Sequence, residues 1–486
     1  MFVARVNKKL AGYLTGVMLI LWGVLCILPA IASFLYSEIE FRIFVASSLL
    51  YTLLGITLVT LCKNYSLPIS KKDGQISVGV LWFSIPMAAS LPYMFFPENF
   101  SLLNAIFESF SGFTTTGSTV ITDLDSVPRG LLLYRALTQW IGGLGFTLLI
   151  IAALRNFQSS FTNLFNAEFF SIATQRLYPR LTDTVKRIFV VYILLTISCF
   201  VLLCFGDMTI FEALCHSLTT ISTGGFTTSN ENIGGFSIYS QMIIVIFMLL
   251  SAMSYFLVVN LFRGRFAQFF KNEQLRWYLI IIFLTTVLFV IYWTLQDSMS
   301  INDRLRGGIF YSVSIISSTG FDLQNFSTGY FVSAVIILLM FVGGCSASSA
   351  TGLKVIRLII LLRFLKAMLV KNLHPKAVIA VKYNQKSISD ENIARIFGFF
   401  FLYLALFMMG IFVLCICGND FQTSMALSIA NLGNIGPVVG GYVEGFSYAS
   451  INVGSQITLI ALMLAGRLEI YTFFALFSKS LWSNGK

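Results

Sequence analysis

The chain has 486 residues, of which 57% are hydrophobic and 11% charged, with a mean hydropathy of +0.84. That composition excludes a soluble globular domain and describes a polytopic membrane protein. Eight cysteines lie mostly in apolar runs, and Cys415-x-Cys417 has no second pair, so buried free thiols are expected rather than a zinc site. His216 and His374 stand far apart, and no Ser/His/Asp, Cys/His or phosphate-loop pattern is present, so no enzyme is expected.

In chain order, Arg5, Lys8 and Lys9 precede an apolar run that reaches Tyr36. Ala30-Ile31-Ala32 resembles a signal-peptidase site, but Leu10–Ala30 is a full membrane span, so a retained helix is expected. A second span follows at Arg42–Cys62, then a polar, basic loop. Four units come next, each a span, a short re-entrant helix with a loop, and a second span. Their three parts are expected at 76–96, 101–120 and 131–154; at 188–206, 208–224 and 237–262; at 277–295, 303–319 and from Tyr330; and at 393–417, 421–433 and 452–477. Polar linkers Arg155–Arg187, Arg263–Arg276 and Lys371–Glu391 separate them. The expected division is a hairpin region 1–74 and repeats 75–154, 155–262, 263–370 and 371–486.

The repeats are aligned by Gly117, Gly225, Gly320 and Gly436, spaced 108, 95 and 116 residues apart. Eight residues before each glycine stands a serine: Ser109, Ser217, Ser312 and Ser428. Twelve before stands a small residue: Ala105, Ala213, Gly308 and Ser424. Apolar residues eleven, seven and four before, such as Ile106, Phe110 and Phe113, give each short helix one greasy face. A helix that stops at membrane depth leaves carbonyls that lipid cannot satisfy, so its end must line protein or water. Four such ends around one axis make a carbonyl ring able to replace the hydration shell of potassium. Gly142-Gly143-Leu144-Gly145 lies inside an apolar helix and suggests close packing or a kink.

All but six of the 32 Lys and Arg fall on one side of this topology. Arg42, Arg129, Arg135, Arg304 and Arg306 fall toward the other, and Arg467 lies inside a span. The basic side, with the N-terminus, is cytoplasmic by the positive-inside rule. The loops then open outward, among acids that include Asp123, Asp125, Asp207, Glu231, Asp322 and Glu444. Lys354, Arg357, Arg363 and Lys366 are spaced too irregularly for a voltage sensor and read as positive-inside residues. The third unit's last span is interrupted at Gly343–Gly352, just below the level of the loops, where a broken backbone must line a cavity. Arg467 reaches a similar depth and, two residues from Glu469, points to a different helix face. The expected barrier is therefore a mobile loop carrying Gly343, Gly344, Ser346, Ser348, Ser349, Gly352 and Lys354, beside the fixed charge of Arg467. Small residues such as Ala347 and Ala350 allow that loop to fold aside.

The strings FESFSGFTTTGSTVI, YRALTQWIGGLG, STGGFTT, FVGGCSASS with LKVIR, NIGP and GRLEI resemble the Trk/Ktr/HKT superfamily of potassium transporters, closest to the bacterial TrkH/TrkG type. The resemblance covers essentially the whole chain and implies an all-α membrane protein, with an N-terminal two-helix hairpin and four span–pore-helix–span repeats around one pore. It implies a potassium-binding filter at Thr114, Thr115, Thr116 and Gly117; at Ile221, Ser222, Thr223, Gly224 and Gly225; at Ser317, Ser318, Thr319 and Gly320; and at Gly433, Asn434, Ile435 and Gly436. Glycine at all four key positions is that family's potassium-favouring pattern. The resemblance also implies a homodimer in the bacterial inner membrane, working with a cytosolic nucleotide-binding regulatory subunit of the TrkA type. The transported ion would be K+, with no organic cofactor and no nucleic-acid partner. The chain departs from the type in the third repeat, where Ser346-Ala347-Ser348-Ser349-Ala350-Thr351-Gly352 replaces a more glycine-rich string. Proton- or sodium-coupled symport and a non-conducting membrane sensor are the alternative readings.

Overall fold

The computed structural model describes residues 7–65, 69–96, 100–145, 181–296, 300–323, 329–377, 379–436 and 447–478. Helices α1 (Lys8–Leu25), α2 (Ile27–Leu35) and α3 (Phe41–Cys62) form the N-terminal hairpin. The first repeat follows as α4 (Lys71–Ala89), α5 (Leu102–Phe113) and α6 (Arg129–Leu144). The second is α7 (Leu181–Cys204), α8 (Ile210–Ile221), α9 (Ile238–Ser251) and α10 (Tyr255–Phe262). After the short α11 (Phe266–Phe270), the third comprises α12 (Glu273–Leu295), α13 (Ile301–Ile316), α14 (Tyr330–Val342) and α15 (Val355–Leu373). The fourth is α16 (Asp390–Ile416), α17 (Phe421–Leu432), α18 (Val453–Arg467) and α19 (Ile470–Phe477). Among the described residues, six helices are long and apolar enough to cross a membrane, or up to eight if each bent pair is one span. The chain is a multi-pass membrane protein.

The short helices α5, α8, α13 and α17 start alike. Ser101, Thr209, Ser300 and Asp420 each accept a hydrogen bond from the backbone N–H three residues on, satisfying a donor that the helix cannot. Three of these caps lie sixteen residues before their loop glycine, whereas α13 begins one turn earlier. The serine shared by the repeats has a packing role in two of them. Ser109 donates to the Pro86 carbonyl (2.6 Å) and Ser428 to the Phe407 carbonyl (2.8 Å), tying the short helix to the span before it.

The interruption expected only in the third repeat recurs. Helices α9 and α10 meet at 109°, and α18 and α19 at 118°, so the spans expected as continuous at 237–262 and 452–477 are each broken. Helix α6 also stops, at Gly145 with φ 83°. The rest of the span expected at 131–154, and most of the Arg155–Arg187 linker, lie outside the described residues. Helix α7 starts at Leu181, seven residues earlier than expected, because Lys186 and Arg187 do not break a helix. In the third linker, Lys382–Tyr383 pairs antiparallel with Lys386–Ser387. Asn384 and Gln385 turn this hairpin with φ of 46° and 65°, as a two-residue turn requires.

Hydrogen bonds close the four repeats into a ring. Gln139 of the first donates to the Gly224 carbonyl of the second (2.7 Å). Ile233 N of the second donates to the Asp322 carbonyl of the third (3.2 Å). Thr351 of the third donates to the Gly433 carbonyl of the fourth. Asn434 of the fourth donates to the Thr116 hydroxyl of the first (2.9 Å).

Candidate functional site

The loops at the ends of the four short helices share one backbone path. Thr114, Ser222, Ser317 and Gly433 are still right-handed, with φ from −74° to −81°. The next residues, Thr115, Thr223, Ser318 and Asn434, are left-handed, with φ of 55°, 55°, 60° and 50°. Two residues further, Gly117, Gly225, Gly320 and Gly436 have φ of 82°, 83°, 79° and 30°. For β-branched Thr115 and Thr223 this is a strained conformation, of a kind that costs about 1–3 kcal/mol and persists where the surroundings impose it.

Each short helix supplies that imposition. Thr116 N donates to the Ser111 carbonyl (2.9 Å), Gly224 N to Thr219 (2.9 Å), Thr319 N to Ser314 (3.0 Å) and Ile435 N to Ala430 (2.8 Å). These are helix-terminating bonds that turn the loop's N–H groups back onto the helix. The carbonyls are left facing elsewhere. Among the described residues, the backbone carbonyl oxygens of Thr114, Thr115, Thr116 and Gly117 accept no hydrogen bond, nor do those of Ser317, Ser318, Thr319 and Gly320. The second and fourth repeats differ, because Gly224 accepts from Gln139, Gly433 from Thr351, and Gly436 from the Tyr448 hydroxyl (3.1 Å). A carbonyl has two lone pairs, so each keeps one acceptor site. Ile221 is the last residue of α8 and is fully buried, one residue below the loop.

The glycine-rich end of α6 packs against these loops. A Cβ on Gly142 would collide with the Phe113 carbonyl, and one on Gly143 with Ser222. Close packing, one of the two expectations for this string, is its use, and Gly145 ends the helix.

Behind the first loop, Glu108 is fully buried and pairs with Arg135 at 2.8 Å. It also accepts from Thr119 Oγ1 (2.9 Å) and Val120 N (3.1 Å), which holds the segment leaving the loop. Arg135 lies 4.0 Å from the Phe226 ring centroid and donates to the Thr227 carbonyl (3.3 Å). A cavity of about 350 Å³ lies beside the loops, lined by Gly117, Gly225, Thr119, Thr227, Asn230 and Tyr448. At its edge the Asn230 amide bridges Asp123 (2.7 Å) and Asp125 (2.9 Å). Glu444 lies outside the described residues.

The segment after α14 lies against the loops on the other side. Gly343, Ala347, Gly352 and Lys354 all have positive φ, so the chain turns repeatedly. Two of its serines are tethers, Ser346 donating to Gln274 (3.2 Å) and Ser349 to the Gly143 carbonyl (3.3 Å), while Ser348 closes a turn within the segment on the Cys345 carbonyl (2.7 Å). Backbone bonds from Cys345 N to Ala252, from Tyr255 N to Ala347 and from Val355 N to Gly344 fix both ends. Gly344 packs on Ala252, where a side chain would crowd the neighbouring backbone. Arg467 donates to the Ser349 carbonyl (2.9 Å) and to the Gly142 carbonyl. Glu469 is not its partner; it pairs with Arg357 (2.5 Å) and Lys354 (3.5 Å). A cavity of about 40 Å³ remains among Ser349, Thr351, Lys354, Arg357, Arg467 and Glu469.

Gln139, Tyr448, Tyr255 and Glu469 make these contacts, and none had a role assigned from the sequence. The signal for Gln139 was a lone amide in an apolar helix, a placement that polar residues occupy only with partners.

The chain matches the family model for TrkH, described as a cation transport protein, over residues 41–485. It is 30% identical over 475 residues to the Trk system potassium uptake protein TrkH of Salmonella typhimurium strain LT2, covering 96% of this chain and 98% of that one. It is 33% identical over 482 residues to a protein of the same name from Halomonas elongata, with the same coverages. The Trk system potassium uptake protein TrkG of Escherichia coli K12 is 29% identical over 484 residues, 98% of this chain and 99% of that one. Among solved structures, the crystal structure of the potassium transporter TrkH from Vibrio parahaemolyticus aligns with a TM-score of 0.89 at 29% identity, covering 98% of this chain and 100% of that one. The chain belongs to the TrkH family of cation transport proteins.

Proposed function

We propose that this protein takes up potassium across the bacterial inner membrane through a filter made of the four loops. The observation that carries the reading is the row of unbonded carbonyls at Thr114–Gly117 and Ser317–Gly320, inside a ring closed by contacts between all four repeats. Buried acceptors without donors are costly unless a cation supplies the missing partner. The names of the relatives, potassium uptake proteins of the Trk system, agree with it. The repeats divide as 75–154, 155–262, 263–370 and 371–486, after a hairpin region at 1–74, with the N-terminus cytoplasmic. Rubidium uptake in a host lacking its own potassium uptake tests the reading. Uptake above the empty-vector level supports it, and normally inserted protein without uptake overturns it.

Gating on this reading belongs to the 343–354 segment and Arg467, which lie against Gly143, Gly142 and Gly433 beneath the filter. Coupled symport is disfavoured because the buried carboxylates Glu108 and Glu469 are each engaged in an ion pair, with Arg135 and with Arg357. The working assembly is a homodimer with a cytosolic nucleotide-binding subunit docked on the basic linkers, using Lys371, Lys376, Lys382 and Lys386. Arg176 and Arg180 of the Arg155–Arg187 linker belong to the same proposed basic surface and lie outside the described residues. Reversing the four lysine charges should abolish co-purification with the cytosolic subunit.

A further inference from the structure

The fourth repeat differs from the others at the left-handed loop position. There, Thr115, Thr223 and Ser318 carry hydroxyls, and Asn434 carries an amide. Asparagine enters the left-handed region more readily than other residues with a side chain, so the backbone alone gives one reason for it. Its side chain gives a second. Asn434 is fully buried, and its Nδ2 makes two contacts, with the Met463 carbonyl at 3.0 Å and with Thr116 Oγ1 at 2.9 Å. A backbone carbonyl only accepts, so the atom facing Met463 must be the nitrogen, and the amide orientation is fixed.

The hydroxyl protons can then be assigned in turn. Thr114 Oγ1 donates its only proton to the Phe110 carbonyl, at 2.7 Å. The 2.7 Å contact between Thr114 and Thr116 must therefore use the Thr116 proton. Thr116 Oγ1 is left with lone pairs, and it accepts from Asn434. The result is a one-way chain of hydrogen bonds from Asn434 through Thr116 and Thr114 to Phe110. It crosses the seam between the last repeat and the first. The third repeat has a similar hydroxyl pair, Ser317 and Thr319 at 2.8 Å, but among the described residues no amide feeds it. Gly436 packs so closely on the Thr116 carbonyl and Ser118 that a side chain there would push the two loops apart. The separation of the loops at this seam is thus set by one glycine and two amides, Asn434 donating to Thr116 and Asn431 accepting from the Ser118 hydroxyl at 3.0 Å.

We propose that Asn434 is a positioning residue for cation discrimination. By donating to Thr116 it fixes the spacing of the first and fourth loops, and so the size of cation that their carbonyls fit. This rests on the reading of the four loops as the filter. The side chain touches no ion in this scheme and acts through Thr116.

The test is the ratio of rubidium to sodium uptake in Thr116→Val, Asn434→Asp, the double variant and Thr116→Ser, with Gly117→Ser alongside. Thr116→Val keeps the side-chain shape and removes both the proton and the acceptor. Asn434→Asp keeps the shape and removes the donor. Each should lower the ratio about fivefold or more. The double variant should fall no further than the worse single one, because both break the same chain. Thr116→Ser retains the hydroxyl and should recover most of what Thr116→Val loses, an outcome that a merely structural role would not produce. A wild-type ratio in Thr116→Val, or additive losses in the double variant, overturns the inference while a changed ratio in Gly117→Ser leaves the filter standing. An unchanged ratio in Gly117→Ser removes the filter reading, and this inference with it. If Asn434→Asp fails to insert, the Thr116→Val and Thr116→Ser pair decides alone.

Discussion

Arg467 donates a hydrogen bond to the backbone carbonyl of Ser349, 118 residues away in sequence and 2.9 Å away in space. The same guanidinium reaches the Gly142 carbonyl, so one side chain clamps the interrupting segment of the third repeat to the helix end of the first. Arg467→Ala should raise basal rubidium uptake severalfold in cells that lack the proposed cytosolic subunit. It removes both the clamp and a positive charge that repels cations strongly at low dielectric. Arg467→Lys should fall between, since an ammonium lacks the planar fork that spans two carbonyls. Uptake by normally inserted Arg467→Ala at or below the wild-type basal level would count against the clamp.

Gln139 holds the second loop from both sides, donating to Gly224 and accepting from Phe226 N at 3.1 Å. Gln139→Leu strands a buried acceptor and a buried donor, each worth about 1–3 kcal/mol when unsatisfied. The thermal midpoint of the detergent-solubilised protein should drop by several degrees, with a lowered rubidium-to-sodium uptake ratio. Gln139→Glu keeps the acceptor for Phe226 and should be the milder variant. A wild-type midpoint in Gln139→Leu would show that water replaces the amide.

The Glu108–Arg135 pair predicts an asymmetry between single and double variants. Glu108→Gln leaves a buried guanidinium without its counter-charge, a situation that costs roughly 3–5 kcal/mol. Glu108→Gln combined with Arg135→Met removes both charges and should be more stable than Glu108→Gln alone. Thermal unfolding of the three proteins in one detergent checks this, and equal losses in the single and double variants would refute it.

Asp207 gives a pH prediction outside the spans. Burial pushes its carboxyl up, but hydrogen bonds from Ser237 and Ser240 outweigh that and hold it below the usual carboxylate range. It accepts from the Ser237 hydroxyl and the Ser240 hydroxyl, both at 2.6 Å, and from Ser237 N at 2.7 Å. A lowered folded-state value means stability that is present above the unfolded carboxylate's pKa, near 3.9, and lost as the pH falls through the folded one. Wild-type protein should therefore lose thermal stability between about pH 4 and pH 2 more steeply than Asp207→Asn. Parallel curves would show that the carboxylate contributes nothing specific.

The short helices and their loop glycines were legible because several weak signals recur at fixed offsets. The small residue, the apolar face, the serine and the glycine each follow from a local requirement, and each requirement is repeated. The breaks after Ser251 and Arg467 were not legible, for a different reason. Gly343–Gly352 changes composition over ten residues, whereas α9 to α10 turns at Ala252-Met253-Ser254 and α18 to α19 at Leu468-Glu469. One or two polar residues barely alter an average over a whole span, and the bend is imposed by packing on other repeats. The tethers on the interrupting segment were hidden for the same reason. Ser346 and Ser349 look permissive in a string, and only their distant partners, Gln274 and Gly143, make them restraints.

The bond from Asn434 to Thr116 joins residues 318 apart, and Ser118 and Asn431, 313 apart, make another across the same seam at 3.0 Å. Ring closure is therefore a late event in biosynthesis. While the ribosome is still making the third repeat, the first has no fourth to meet, and Thr116 and Ser118 have no amide partners. A nascent or truncated chain lacks one wall of its own conduit, so a cell that degrades such fragments disposes of an open-sided bundle rather than a finished one.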